Sequence, residues 1–264
     1  CYLNGFSQIM LQENSITGLF FIMGLMVNSV VMLAGALAGS AISLVTAVLL
    51  NYDKQQIQQG WFGYNGALVG LCVFFVFPVT LLSCIFLFLG AALSSLLMTR
   101  FLRFTTLPPY TAPFVISAWF SITSATYFGQ THHVTTSIVN DISLIEVIFK
   151  GVGQVMFFGD ALVGALFLCG LVCCSYKTGL FALLGSVVGL SIALILDFPH
   201  NMVSIGFYGF NSALVGIALA QRSLNYFFMT LFTMVLAVLM TRVFQLLGII
   251  GLTAPFFIAL WLVQ

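Results

Sequence analysis

The sequence predicts an all-α integral membrane protein of two inverted homologous halves, each with five transmembrane helices and one re-entrant, half-length pore helix. Three observations predict this fold class. The 264 residues are 61% hydrophobic and 5% charged, with a mean hydropathy of +1.18, whereas soluble domains carry about 25% charged residues. One block of sequence occurs twice. Each half contains an odd number of predicted spans, so the second half must enter the membrane in the opposite orientation.

The repeated block covers residues 63–70 (GYNGALVG) and returns at residues 209–216 (GFNSALVG), with six of eight positions identical. The offset, Asn65 to Asn211, is 146 residues, and it also carries Gly5 and Gln8 onto Gly151 and Gln154. A second block, TAPF, occurs at residues 111–114 and 253–256, an offset of 142 residues. A repeat of this length exceeds solenoid periods. In an apolar chain it is typical of transporters and channels, whose site lies at the interface between the halves.

The predicted spans follow from apolar runs and from transfer of turns between the halves. Residues 16–50 form one apolar run, about twice the roughly 20 residues that a span needs, and the break at 175–179 (SYKTG) in the second half places a turn near Ser29. The spans cover 16–29, 31–50, 60–77, 79–101 and 111–128, and then 162–174, 179–196, 205–220, 224–244 and 253–264.

A short segment precedes the first span of each half, at residues 3–14 and 149–160, and each has glycine three residues before glutamine. A helix of this length is about 18 Å long, too short for a hydrocarbon core of about 30 Å. A surface amphipathic helix is one interpretation, but pairing with a short span favours a re-entrant pore helix. We therefore expect a first repeat at 1–128, a linker at 129–148 and a second repeat at 149–264.

The basic residues support opposite orientations of the halves. With the N-terminus inside, five fall inside (Lys54, Arg100, Arg103, Lys177, Arg222) and two outside (Lys150, Arg242), in line with the positive-inside rule. Both termini are then cytoplasmic. A helix of residues 253–264 would be about 18 Å long, too short to cross. If its end reaches the membrane surface, we expect Thr253, and by the repeat Thr111, near the midplane. Threonine before Ala-Pro also suits a helix start, where its hydroxyl can cap the first turn.

The duplicated residues are neutral. They are glutamine, an aromatic residue with leucine one turn later, and threonine. No charged residue within a span core is duplicated, whereas ion-coupled carriers normally require a charged residue there. There is no catalytic set, so we expect no enzyme, and no phosphate loop or metal cluster, so we expect no cofactor. The net charge of +1 gives no case for nucleic acid. The cysteines within apolar runs are expected to be buried thiols, and His132, His133 and His200 to lie in polar connections.

The aromatic–leucine pairs suggest a passage. Positions i and i+4 share a helix face, so Tyr64 and Leu68 face one way, as do Phe210 and Leu214. Two inverted copies would place a ring and a hydroxyl on each side of the midplane, which predicts a narrow, uncharged passage for a small neutral polar solute. Ordinary helix packing is the alternative interpretation of these four residues.

The duplicated Asn-Gly/Ser-Ala-Leu-Val-Gly blocks, Gly-x-x-Gln segments and Thr-Ala-Pro-Phe blocks resemble the urea transporter family over nearly the whole chain. The resemblance implies ten spans, two re-entrant pore helices, homotrimers with one pore per protomer, and passive, channel-type passage of urea. It implies that Gln8 and Gln154 lie near the two mouths, that Tyr64 with Leu68 and Phe210 with Leu214 form flat slots, that Phe157 faces Phe210, and that Thr111 and Thr253 line the middle. It also places Ile9, Leu11 and Val155 in the pore.

The chain departs from the family at two of these positions. The family usually has phenylalanine where this chain has Tyr64, and often has an aromatic residue where it has Leu11, so we expect a wider or more polar first slot. The alternatives are a channel for short amides or ammonia, a non-transporting membrane scaffold and, with least support, an intramembrane enzyme. Ammonia channels commonly use histidines within their spans, and the histidines here lie outside the predicted spans.

Overall fold

The structure is a computed structural model that describes residues 2–130 and 143–264. The chain forms two compact units, Cys1–Thr136 and Ser137–Gln264. The described residues of both units are helical and contain no strand, which confirms the all-α class. His132 and His133 lie outside the described residues.

The described part of the first unit contains seven helices. They are α1 (Tyr2–Gln8), α2 (Ser15–Asn28), α3 (Val30–Leu49), α4 (Lys54–Gln59), α5 (Gly63–Val76), α6 (Leu81–Phe104) and α7 (Ala112–Tyr127). The buried helix α5 is central, because α1, α3, α6 and α7 all pack against it. The repeated block of the sequence forms the buried N-terminal half of this helix.

The second unit repeats the same order. Its helices are α8 (Leu144–Gly153), α9 (Ala161–Cys174), α10 (Tyr176–Ile195), α11 (His200–Val203), α12 (Phe210–Leu219), α13 (Phe227–Leu246) and α14 (Ala254–Val263), with 3₁₀ turns at Gln154–Met156 and Leu224–Tyr226. The central helix is α12, which packs against α8, α10, α13 and α14. The sequence repeat is therefore also a repeat of element order and packing within each unit.

Backbone conformation repeats as well. The non-glycine residues with positive φ among the described residues form three pairs at the offsets of the repeat: Leu11 (57°) with Phe157 (69°), Asn51 (52°) with Asp197 (50°), and Tyr110 (41°) with Leu252 (48°). This conformation costs an L-residue about 1–2 kcal/mol. Because a costly conformation recurs at equivalent positions, the two units share the same local fold at these turns.

Helices α3 and α5 cross with their backbones in contact. A Cβ atom on Gly39 would lie 2.1 Å from the carbonyl oxygen of Gly66, and one on Gly70 would lie 1.9 Å from that of Gly35. No side chain fits at such distances, so glycine is required at this crossing. Helices α10 and α12 approach in the same way at Gly185. Small residues at helix crossings are typical of membrane proteins.

Four described helices, α3, α6, α10 and α13, are long and apolar enough to cross a membrane. The segment Leu144–Met156 and α9 form a further pair, bent by 74° at a short break, which is the geometry of a broken span or a re-entrant loop. The helices α2, α5, α12 and α14 are apolar but have 14 residues or fewer. The ten spans therefore remain a prediction, while several apolar spans per chain are confirmed.

The predicted turn near Ser29 is confirmed, because α2 ends at Asn28 and Ser29 caps α3 by accepting from the backbone N–H of Met32 at 3.3 Å. Its counterpart differs from the prediction. Helix α10 begins at Tyr176 rather than at 179, since Ser175 alone has the extended backbone that separates the two helices. Four of the five residues predicted as a turn, 176–179, thus belong to the first turn of α10.

The two segments predicted as pore helices are only partly helical. In segment 3–14, α1 ends at Gln8, because Leu11 has a left-handed backbone and Asn14 already caps α2 through Oδ1. In segment 149–160, the helix begins earlier, at Leu144, and Asp160 caps α9 by accepting from the N–H of Val163 at 3.0 Å. Each segment thus consists of the end of one helix, a turn, and the residue that caps the next helix.

The prediction that the cysteines are buried is wrong for most of those described. Cys72 on α5 is buried, whereas Cys84, Cys169 and Cys173 are exposed. The last two share the outer face of α9 with exposed apolar residues such as Leu162 and Val172. An apolar thiol can therefore lie on the outside of a helix whose whole outer face is apolar.

Candidate functional site

The duplicated glutamines make the same hydrogen bond in their own units. Gln8 ends α1, and its Nε2 donates to the carbonyl oxygen of Gln59 at 3.3 Å. Gln154 opens the 3₁₀ turn after α8, and its Nε2 donates to the carbonyl oxygen of Ile205 at 3.0 Å. A carbonyl can only accept, so the amide nitrogen must face it. Each Oε1 is therefore turned away from this carbonyl.

A left-handed glycine fixes each of the two carbonyls. Gly60 (φ 89°) follows Gln59, and Gly206 (φ 78°) follows Ile205. A Cβ atom on Gly60 would lie 2.5 Å from the backbone nitrogen of Gly5, and one on Gly206 would lie 2.4 Å from that of Gly151. Glycine is therefore needed for both its backbone angle and its size, and the close approach brings each carbonyl next to its glutamine.

Leu11 and Phe157, each three residues after a glutamine, share a rare backbone conformation. Both occupy the left-handed position of a Schellman motif, where glycine is usual. The closing hydrogen bonds run from Gln12 N to Ser7 O at 3.1 Å and from Phe158 N to Gly153 O at 3.3 Å. A non-glycine residue in this region costs about 1–3 kcal/mol and often marks a functional position. Both positions thus carry a side chain in a strained backbone conformation.

The aromatic–leucine pairs lie on the central helices. Tyr64 and Leu68 are 4% and 1% exposed, and Phe210 and Leu214 are 6% and 0% exposed. The hydroxyl of Tyr64 donates to the backbone carbonyl of Tyr110, the residue before Thr111. The acceptor is a backbone carbonyl of the same unit, so this hydrogen bond holds the Tyr64 ring within the first unit.

The duplicated threonines occupy helix starts, as predicted, and are 1% and 4% exposed. Thr111 and Thr253 stand at the N-cap positions of α7 and α14, with proline in the first turn. Neither hydroxyl makes the capping bond that we expected, because φ and ψ near −93° and 11° differ from the extended backbone of a capping residue. The side chains of Thr111 and Thr253 are thus not the N-terminal caps of these helices.

The asparagine of the repeated block also belongs to this region, although no role was predicted for it. Asn65 accepts at Oδ1 from the backbone N–H of Phe114 at 3.1 Å. Asn211 donates from Nδ2 to Oγ1 of Thr241 at 3.0 Å and to the carbonyl of Leu252 at 3.3 Å. In both units this side chain ties the central helix to the segment around the duplicated threonine. The sequence signal for this role was that asparagine follows the aromatic residue in both copies of the block.

Within each unit the predicted site residues lie on elements that pack together. In the first unit, α1 and α7 both contact α5; in the second, the 3₁₀ turn and α14 both contact α12. Ile9 and Val155, beside the glutamines, are buried at 1% and 3% exposure, whereas Leu11 and Phe157 are half-buried. Among residues 2–130 and 143–264, no group of three or more His, Cys, Asp or Glu could hold a metal ion.

Known proteins resemble this chain over the same region. A family model described as urea transporter matches residues 1–264. Urea transporter 1 of Ovis aries is 29% identical over 288 residues, which cover 97% of this chain and 74% of the sheep protein. Urea transporter 1 of Mus musculus is 30% identical, and that of Rattus norvegicus 31% identical, each over 82% of this chain and 61% of the relative. The family match includes both copies of the repeat.

Proposed function

This chain belongs to the urea transporter family, and we propose that it carries urea passively across a membrane through a narrow, uncharged pore lined by equivalent residues of both repeats. It is an integral, multi-pass membrane protein, because the family match spans the chain and several of its helices are long and apolar enough to cross. The channel mechanism, the pore residues and a homotrimeric assembly with one pore per protomer are part of the proposal.

The orientation of the two glutamines carries the proposal. Urea is planar, with four N–H bonds and one carbonyl, and it loses several kcal/mol of hydration in a dry passage unless new partners replace water. Gln8 and Gln154 are held by their own Nε2 groups on backbone carbonyls. Each amide oxygen is therefore pre-oriented as an acceptor for an N–H of the solute. This arrangement occurs once in each repeat, which suits a site at each end of a passage.

The buried aromatic–leucine pairs supply flat apolar walls. Tyr64 with Leu68 and Phe210 with Leu214 are nearly inaccessible to water. A flat slot admits a planar molecule and excludes a hydrated ion, while the ring faces give weak contacts to N–H groups. Conduction needs weak, multiple contacts rather than one tight site. Neutral acceptors between aromatic walls meet that requirement for a neutral amide.

The test is stopped-flow uptake into proteoliposomes that contain the purified protein. We expect urea to equilibrate much faster than in protein-free liposomes, and the final level to be the same with or without a Na⁺ or proton gradient. Urea uptake at the protein-free rate would refute the function. Accumulation above equilibrium, driven by either gradient, would refute the passive mechanism.

Orientation is tested separately in a cysteine-free background. Single cysteines placed beside Arg100 and beside Arg242 should react with a membrane-impermeant reagent from opposite sides. Reaction of both from one side would contradict inverted repeats while leaving transport untouched.

Short amides are the second candidate solutes, favoured by Leu11. An aromatic residue is often found at this position in the family, and this chain has a smaller, flexible side chain there with a strained backbone. Acetamide shares the planar amide of urea and differs by one methyl group. The same uptake assay with acetamide gives the ratio of acetamide to urea flux, and a ratio near one would make the chain a general amide channel.

A further inference from the structure

A hydrogen-bonded cluster lies beside the aromatic slot of the second unit. The hydroxyl of Tyr208 donates to Oε1 of Gln245, and Nη1 of Arg242 donates to the same oxygen at 2.8 Å. Tyr208 stands two residues before Phe210, at the start of α12, while Gln245 and Arg242 lie on the last turns of α13. A cationic donor strengthens bonds in such a network. The cluster therefore ties the entry of α12 to the end of α13.

Ring contacts connect this cluster to Phe210. The ring of Phe207 stands edge-on to Tyr208, with centroids 5.5 Å apart and planes at 83°, and edge-on to Phe210 at 5.7 Å and 63°. On the other side, the ring of Tyr208 lies 4.8 Å from that of Phe198, and the guanidinium of Arg242 lies 5.2 Å above Phe198. Edge-to-face pairs depend on ring orientation, so the ring of Phe207 links the packing of Tyr208 to that of Phe210.

The first unit lacks both partners of this bond. By the repeat, Phe62 corresponds to Tyr208, and it is fully buried without a hydroxyl. At the offset of 142 residues, Arg103 corresponds to Gln245 and is exposed. The tyrosine hydroxyl and the glutamine that accepts from it therefore occur together in the second unit and are both missing from the equivalent positions of the first.

The first unit instead carries its hydroxyl on the slot ring. The segments read Phe-Gly-Tyr at 62–64 and Tyr-Gly-Phe at 208–210. The tyrosine therefore follows the glycine in the first unit and precedes it in the second. The hydroxyl of Tyr64 anchors its own ring to the carbonyl of Tyr110. Phe210 has no hydroxyl and cannot form such a bond, and its ring packs edge-on against Phe207.

We propose that Tyr208, Gln245 and Arg242 are positioning residues that fix the plane of the Phe210 ring and thereby set how strictly the pore discriminates urea from larger amides. This inference rests on the proposed function, because it takes Phe210 as a slot wall. The cluster need not touch the solute, since it acts through the rings of Phe207 and Tyr208.

The first test measures acetamide and urea flux in proteoliposomes for three variants. Tyr208→Phe removes only the hydroxyl, and the buried Phe62 shows that the fold accepts phenylalanine at the equivalent position. Gln245→Met removes the acceptor, and Gln245→Glu keeps it. Tyr176→Phe, at a 63% exposed tyrosine on α10, is the matched control.

We expect Tyr208→Phe and Gln245→Met each to raise the acetamide-to-urea ratio about three- to fivefold, the size that one lost hydrogen bond supports, with little change in urea flux. The double variant should match either single variant, because both changes break the same bond. Gln245→Glu and Tyr176→Phe should keep the parent ratio.

The second test does not depend on transport. A 4-fluorophenylalanine is placed at Phe210, and its ¹⁹F NMR signal is recorded in detergent-solubilised protein. We expect one sharp signal in the parent and in Gln245→Glu, and a broadened or split signal in Tyr208→Phe and Gln245→Met. A role in stability alone would lower the melting temperature without changing this signal in the folded protein.

The outcomes are distinguishable. An unchanged ¹⁹F signal in both Tyr208→Phe and Gln245→Met refutes the anchor, and urea transport by the parent then still stands. A changed signal with an unchanged flux ratio refutes its role in selectivity. Failure of the parent to carry urea overturns the proposed function and with it the claim on selectivity, whereas the NMR result still decides whether the cluster holds Phe210.

Discussion

Replacing Gln154 with leucine is the most direct test of the glutamine assignment. Leucine retains part of the volume but removes both the Nε2 that donates to Ile205 at 3.0 Å and the Oε1 that this bond orients. Loss of one acceptor in a dry passage costs about 1–3 kcal/mol, which slows urea flux roughly five- to 150-fold. Loss of the bond itself lowers the free energy of unfolding by about 0.5–1.5 kcal/mol.

The first unit supplies an internal comparison. The bond from Gln8 to Gln59 is 3.3 Å long, beyond the usual range of about 2.7–3.2 Å, and is therefore weaker. We expect Gln8→Leu to slow urea as Gln154→Leu does, because an oriented acceptor is lost in both. The melting temperature, followed by tryptophan fluorescence, should fall less for Gln8→Leu than for Gln154→Leu.

The matched control is Gln221→Leu. Gln221 also donates from Nε2 at 3.0 Å, to the hydroxyl of Ser175, but it is exposed and outside the candidate site. This variant should conduct urea like the parent in stopped-flow uptake. If Gln154→Leu and Gln221→Leu conduct equally well, the glutamine oxygen is no part of the urea path and the reasoning fails.

Three further predictions follow from the same geometry. Gly206→Ala should reduce urea flux and the melting temperature more than Gly248→Ala. Both glycines have positive φ (78° and 67°), but only at Gly206 does backbone lie within 4 Å of the added Cβ. Equal melting temperatures and equal urea flux in the two variants would contradict this. Thr111→Val and Thr253→Val should each slow urea about tenfold through loss of a hydroxyl, at about 1–3 kcal/mol, and parental rates in both would remove the threonines from the pore. Tyr64→Phe keeps the ring and should preserve urea flux within a few fold while lowering the melting temperature, whereas Tyr64→Ala should raise the acetamide-to-urea ratio, and an unchanged ratio would place Tyr64 outside the pore.

Local signals in the sequence were sufficient for class and element order. An apolar composition with few charges can fold only where lipid covers the surface, and a block written twice specifies the same elements twice. The turn at Ser29 was found by transferring a break from one copy to the other. The start of α10 and the ends of the two pore-helix segments differed from the prediction. A serine at the N-cap position precedes α10, and a left-handed residue follows the helix of each pore-helix segment, both inside runs of uniform hydropathy that give no signal for a boundary.

The side-chain partners could not be read from the sequence. The bond from Gln154 joins residues 51 apart, and that from Tyr64 joins residues 46 apart, each to a backbone carbonyl. Every residue carries such a carbonyl, so sequence holds no signal for which of them is reached. Left-handed Leu11 and Phe157 were equally hidden, since glycine is the expected residue in that conformation.

The sequence by itself determined that this chain is a membrane protein made of two copies of one unit, and which neutral residues both copies keep. It did so because hydropathy and repetition are properties of residue types and spacing. Only the tertiary structure decided how the glutamine amides are turned and which groups accept from the two tyrosine hydroxyls, a backbone carbonyl for Tyr64 and the Gln245 side chain for Tyr208. Those outcomes depend on which backbone atoms and neighbouring helices come within hydrogen-bonding distance, and packing alone sets that distance.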